Sequence, residues 1–529
     1  MRKFSKRLLS FCGSLMMLSA LTAGLPAFAD NEPAADSSAE ESVVTDDSTF
    51  IVDGIGYRIL DSGKEAAVSR IDETLTEANV PKEANGYRIV RIDEGAFSQC
   101  TELKRVTIPD SVTEIAAGAF YYCFALESLE IPDSVTEIGS HAFANCYALH
   151  EIKLPPHLKA IPEFAFYYDI GLEEVTIPDG VQSIGAQSFV YCYSLRKLHI
   201  PASVTEIADY AIVSCMGLDS FDLDPANQAY TIDGSGALLT ADGIRLIAYP
   251  AGKQDESFTV PEHVTSVAPY AVSGAVKLKQ VILPEDVTEL GDGAFSDCQS
   301  LTEINSPKTL KEIPSCLFAG CFALTAFRIP DGVTSIAESA FYGCEALTEM
   351  IIPETVTEIR SWAFCGCNSL QGMRIPDSVT EIGDYAVGFT VSNSGDDAAA
   401  APEILSGFLL EGGSDSAAKT YAEANGIAFK ATGLNPTVLT GIIIGVLALM
   451  FVTALVLLRK RGKKKAAENA AENTAEPEPV NDPNYSGILE DDDEDDPYDR
   501  SYGIQTDDDA ESLQETAESL PERFPEEAE

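Results

Sequence analysis

IPDSVTEIGSHAFANC, Ile131 to Cys146, places acidic side chains, a histidine and a cysteine within one short stretch. Read alone it could be a metal site or a Cys/His nucleophile pair. The prolines decide otherwise. They fall at positions 109, 132, 155, 178 and 201, and again at 261, 284, 307, 330, 353 and 376, always 23 residues apart within each run. The stretch is one turn of a repeat, and repeats are read before motifs.

One unit runs L-x-x-L-x-I-P-x-x-V-T-x-I-x-x-x-A-F-x-x-C, as in Leu126, Leu129, Ile131, Pro132, Val135, Thr136, Ile138, Ala142, Phe143 and Cys146. Leu129 and Ile131 alternate with Ser128 and Glu130, the period of a half-buried strand. Pro132 lacks an N–H for a ladder and ends that strand. A second short apolar stretch reaches Ile138, and HAFANC, short and irregular, is expected to form one helical turn that points Phe143 inward. No unit can bury these faces alone; stacked units bury them against one another, which predicts a solenoid.

The unit resembles the leucine-rich repeats of BspA-like surface proteins, over roughly residues 50–430. The resemblance implies a curved solenoid, mostly β, with the L-x-x-L-x-I strands forming a parallel sheet on the concave side. It also implies end caps and hairpin interruptions. FIVDGIGYRILDSGKEAAVSRI (50–71) reads as Gly-turned strands of an N-terminal cap, and GALLTADGIRLIAYPAG (236–252) as a hairpin around Asp242–Gly243. FLLEGGSDSAAKTYAEANGIAF (408–429) reads as strand, helix from about Asp415 to Asn425, a Gly426 stop and a strand.

The ends carry other signals. Arg2, Lys3, Lys6 and Arg7 precede an apolar run from Leu8 to Leu25, and AFA precedes Asp30, as in a secretory signal peptide cut after Ala29. Val438 to Leu458 contains no charged residue and is followed by RKRGKKK, Arg459 to Lys465. That pattern predicts a membrane helix with its basic flank in the cytoplasm. Residues 466–529 hold 2 basic and 23 acidic side chains, too few apolar groups to fold alone. The expected division is therefore signal peptide 1–29, linker 30–49, cap and first coil 50–99, and solenoid 100–391 with a hairpin insertion at about 225–255. A C-terminal cap (402–432), a transmembrane helix (437–458) and a basic then acidic cytoplasmic segment (459–529) complete it. This places the protein in the plasma membrane of a bacterial-type cell, single-pass, N-terminus outside.

The formal charge of −49 argues against nucleic acid, whose phosphates attract basic surfaces. H-E-x-x-H, G-x-S-x-G and the phosphate-binding G-x-x-x-x-G-K-[ST] are absent, DGSGA (233–237) lacks a following helix, and no calcium loop of the D-x-[DN]-x-[DN]-G type occurs. An enzyme, a cofactor and a metal site are not expected. Cys100, Cys123, Cys146, Cys192, Cys215, Cys298, Cys321, Cys344 and Cys367 share the repeat register, with Asp169 and Ala275 on two other rungs. Secretion suggests disulfides or metal thiolates, but zinc sites need close ligand pairs. A small buried side chain in each coil is the simpler reading. His141 shares its column with Gly118, Gln187, Tyr210, Ser339 and Trp362, which reads as surface variation.

The outward strand positions remain. One column reads Thr107, Glu130, Lys153, Thr176, His199, Asp222, Ile282, Asn305, Arg328, Ile351 and Arg374; its neighbour reads Arg105, Ser128, Glu151, Glu174, Lys197, Ser220, Gln280, Glu303, Ala326, Glu349 and Gly372. A constant interior under a varied face suits recognition of a large partner. Arg105, Thr107, Glu130, Lys153, Thr176, Lys197, His199, Asn305, Arg328 and Arg374 are the candidate contacts. The resemblance implies adhesion through an extracellular protein or glycan ligand. The alternative is a membrane-anchored scaffold or receptor that relays binding to the acidic tail.

Overall fold

Backbone groups in each coil bond largely to the coils before and after, so the stacking direction is written into the hydrogen bonds. The computed structural model describes residues 48–390, 402–432 and 436–472. The signal peptide, most of the linker and the acidic tail beyond residue 472 lie outside the described residues.

Three stretches build a coil. The first is the leucine strand: Arg105–Thr107 pairs in parallel with Ser128–Glu130, and Glu151–Lys153 with Glu174–Thr176, each in a 23-residue register. Its middle residues Val106, Leu129, Ile152 and Val175 are buried while the flanking positions face solvent. The proline follows; Pro132 opens a turn whose carbonyl accepts the N–H of Val135 at 3.0 Å. The second stretch is the two-residue strand Glu137–Ile138, parallel to Glu114–Ile115.

The third stretch is not the expected helical turn. The N–H groups of His141, Phe143 and Asn145 donate to the carbonyls of Glu163, Ala165 and Tyr167 in the next coil, at 3.1, 3.1 and 2.8 Å. Those of Ala144 and Cys146 close back on His141 and Phe143. Alternate amides therefore run along the stack, and a helix would turn them onto its own carbonyls. The alternation requires left-handed backbone twice per coil, at His141 (φ 58°) and Asn145 (φ 65°). The His141 column is left-handed throughout: Gly118, Phe164, Gln187, Tyr210, Tyr270, Cys316, Ser339, Trp362 and Tyr385 all have φ between 55° and 64°. This corrects the sequence reading of that column as free surface variation.

Inside, the phenylalanines stack. Ring centroids of Phe97–Phe120, Phe120–Phe143, Phe143–Phe166 and Phe166–Phe189 lie 4.9, 5.9, 5.6 and 5.3 Å apart with planes within 17°. A second stack joins Phe295, Phe318, Phe341 and Phe364. The two large buried clusters divide between them, while a third, smaller one that includes Tyr191, Val213 and Tyr270 runs past the division. The antiparallel strands Tyr230–Ile232, Leu238–Thr240 and Arg245–Ala248 form the wall, with Leu238 packed into one core and Leu239 into the other. Arg245–Ala248 then pairs in parallel with Ser266–Val267, so the coils resume from the hairpin's own edge.

Both ends are covered. Thr49–Val52, Ile55–Ile59 and Glu65–Ile71 form an antiparallel meander whose last strand continues the stack in parallel with Tyr87–Ile92. At the other end Gly372–Arg374 pairs with Leu409–Gly412, which pairs with Ala428–Ala431. Helix α1 (Ala417–Asn425) joins the last two strands. It begins at Ala417 because Ser416 takes the N-cap, accepting from Lys419, and it stops at Gly426, left-handed at φ 72°. Separately, helix α2 (Pro436–Glu472) contains Ile443–Arg461, a stretch long and apolar enough to cross a membrane.

Candidate functional site

The outward strand columns are where this fold shows side chains that it does not itself use. Arg105, Thr107, Glu130, Lys153, Thr176, Lys197, Arg328 and Arg374 are exposed. Each flanks a residue buried in the core, which fixes the backbone beneath it. His199 and Asn305 are half-buried.

The columns are not uniformly free. Lys197 Nζ lies 2.8 Å from Asp222 Oδ2, and His199 Nδ1 lies 3.2 Å from the same oxygen. Lys197 first, and His199 with it, hold the Asp222 carboxyl below the ordinary carboxylate range. Arg105 meets Glu77 at 3.4 Å and Arg374 meets Glu354 at 3.7 Å. All these partners are solvated, so each pair is a loose one. Lys153 and Arg328 make no ion pair among the described residues. Asn305 is committed elsewhere: its amide accepts from the N–H of Leu283 at 2.6 Å and donates to the same residue's carbonyl at 2.8 Å.

Continuity is limited as well. The ladder through Ser220–Leu223 and the one beginning at Ser257–Thr259 are separate sheets. Arg105, Thr107 and Glu130 lie on one short sheet, and Lys153, Thr176, Lys197 and His199 on the next, which ends at Ser220–Leu223. Beyond Glu303–Ile304 the ladder lapses, and Ile351 reaches Arg374 through a single bridge. Arg328 lies within this lapse and Arg374 on the strand that ends it. Asp222, Glu349 and Ile351 were not among the sequence candidates. The signal for Ile351 was that it and Ile282 are the two isoleucines of an otherwise polar column, and for Asp222 its place one period after His199.

The cysteine ladder faces inward. All nine thiols are free and buried. Cys123, Cys146, Cys192 and Cys215 each donate to the carbonyl of the phenylalanine in the preceding coil, at 3.0, 3.3, 3.1 and 3.1 Å. Cys321, Cys344 and Cys367 do the same with Phe295, Phe318 and Phe341. Among the described residues no cluster of His, Cys, Asp and Glu could hold a metal ion.

A family model describing the BspA type leucine rich repeat region matches six copies, over residues 74–168, 159–235 and 265–392, together more than half of the chain. The chain belongs to the BspA-type leucine-rich repeat family. A leucine rich cell surface protein from Faecalibacterium prausnitzii A2-165 is 29% identical, with a TM-score of 0.52 over 66% of this chain and 96% of that one. The pneumococcal vaccine antigen PcpA shares the fold at 20% identity, with a TM-score of 0.54 over 73% of this chain and 99% of that one. No curated protein matches. Nothing in the BspA-type repeats of this chain points to catalysis.

Proposed function

We propose that this BspA-type protein is a single-pass surface protein whose solenoid recognises a large extracellular protein or glycan, in adhesion to a host or neighbouring cell. The observation that carries the reading is the contrast between columns. Phe and Cys repeat down the interior of successive coils, and each strand centre is a buried apolar residue such as Val106, Leu129 or Ile152, while the strand positions on either side of it change in size and sign. Packing accounts for the first set and not for the second. The F. prausnitzii relative is a leucine rich cell surface protein, which supports the same reading. In it α2 is the anchor, RKRGKKK holds to the inner leaflet, the segment after it is cytoplasmic, and the leader 1–29 is removed.

The test uses the full chain in detergent micelles as bait for extracellular and host-matrix proteins and glycans. Capture is expected, and charge reversal at Arg105, Lys153 and Lys197 should reduce it, because rim charges steer association. If nothing is captured, or capture ignores those three changes, the strand face is not the ligand surface.

A further inference from the structure

Where the strand ladder lapses, the face opens into a groove of about 720 Å³. Ile351 lines it and is 72% exposed; among the described residues of this face, Ile282, at 41%, is the other large apolar side chain left exposed. Gly372 lies one period after Glu349, in the same column, and leaves the groove clear. A Cβ there would sit 2.5 Å from the carbonyl oxygen of Leu409, so the close approach of Leu409–Gly412 requires a glycine. The opening is therefore built by the junction between the last coils and the cap.

The walls are acidic. Asp331, Glu349, Glu354 and Glu411 line the groove against one cation, Arg374. Arg374 meets Glu354 only loosely at 3.7 Å, and Lys430 takes Glu411 at 2.6 Å. Asp331 and Glu349 make no ion pair among the described residues. An apolar side chain held open in this way is stabilised only when something covers it. Carboxylates on its margins favour a covering group that brings positive charge. No aromatic ring lines the groove to stack on a sugar.

We propose that this groove docks an extended basic polypeptide segment, with an apolar side chain seated on Ile351 and lysine or arginine on either side against Glu349, Glu354 and Asp331. The proposal rests on the reading of the strand face as the ligand surface and narrows it to a partner chemistry and a place.

Three labelled peptides of about a dozen residues, spanning roughly 40 Å when extended, serve as probes for the full chain in detergent micelles. One alternates lysine with leucine, one lysine with serine, one glutamate with leucine. Fluorescence anisotropy should show binding of the lysine–leucine peptide, weakening as salt rises, and little binding of the others. Ile351→Ser should weaken it by about tenfold or more. Glu349→Lys with Glu354→Lys should abolish it. All three positions are exposed, and circular dichroism of each variant checks that the solenoid is intact. Charge reversal at Arg105, Lys153 and Lys197 should leave peptide affinity unreduced.

The proposal is overturned if the lysine–serine peptide binds equally well, or if Ile351→Ser changes nothing. It is also overturned if Glu137→Lys, on a strand outside this face, weakens binding as much as the groove changes do; the chain is then only a diffuse polyanion. A glycan ligand lost on Ile351→Ser, with no peptide bound, would assign the groove to another partner class and overturn it too. If the peptide fails while macromolecular capture still depends on Arg105, Lys153 and Lys197, the groove proposal falls and the surface-binding function stands. If both fail, the broader reading falls as well.

Discussion

Asp169 reaches back one coil and accepts the backbone N–H of Cys146 at 2.7 Å through Oδ1, while its other oxygen, Oδ2, is buried without a partner. It stands on the rung where most coils carry a cysteine. Burial pushes its carboxyl well above the ordinary range, more than the backbone bonds pull it down. The folded state therefore keeps this proton at pH values where the unfolded chain has released it. The stabilising contribution is fully present below the ordinary carboxylate pKa of about 4 and is lost as pH rises through the raised folded-state value. Asp169→Cys should stabilise the protein at neutral pH by about 1–3 kcal/mol, by removing an unsatisfied buried acceptor. Denaturant titrations at pH 5 and pH 8 check it: the variant should lose less stability between them than the parent. Asp297, raised by burial to about 6, contributes the same sign of dependence between 3.8 and about 6, so a residual slope is expected. Equal slopes in parent and variant would mean that Asp169 is not held protonated.

Phe143 lies between Phe120 and Phe166 in the stack and is fully buried. Phe143→Ala should cost about 3–5 kcal/mol through lost burial and the cavity left behind. In a solenoid that cost stays local, because coils contact only their neighbours. Hydrogen exchange should accelerate first at the amides of Phe120, Phe143 and Phe166, and much less around Phe318 and Phe341 beyond the hairpin wall. A uniform acceleration would contradict the two-core arrangement.

Ser339 is left-handed at φ 57°, buried, and its hydroxyl has no partner. Ser339→Gly should stabilise the protein by about 1 kcal/mol, since glycine adopts this conformation without a Cβ penalty and leaves no orphan donor. Ser339→Val should destabilise it, because a branched side chain fits that backbone worst. Melting temperatures of the two variants should fall on opposite sides of the parent.

That column also marks the limit of what the sequence discloses. Leu129, Ile131, Pro132 and Phe143 could be placed from spacing alone, because burial and the missing proline N–H act on residue type directly. The left-handed backbone of Tyr210, Ser339 and Trp362 could not. None is a glycine, and the conformation is imposed by amides that bond to the next coil. Asn305 looked like a free surface amide for a related reason: its partner is the backbone of Leu283, 22 residues earlier. The groove beside Ile351 depends on Gly372 meeting Leu409, whose spacing departs from the repeat, so no periodic reading could place it.

The cysteine ladder gives a chemical record of the fold. Burial raises the thiols of Cys146, Cys321 and Cys367 well above the free value, and that of Cys298 to about 12. Cys316, off the ladder and less enclosed, is also pushed up to about 12, first by burial and then by Asp292. The thiolate is the reactive form, so at pH 8 all of these should resist iodoacetamide in the native state. Mass spectrometry of protein alkylated before and after denaturation should show native labelling near zero and full labelling of free thiols once unfolded. In graded denaturant, Cys123 and Cys146 should become reactive together, as should Cys321 and Cys344, with the two groups free to open at different concentrations. Disulfide-linked peptides recovered from the native protein would overturn the assignment of the ladder as packed thiols.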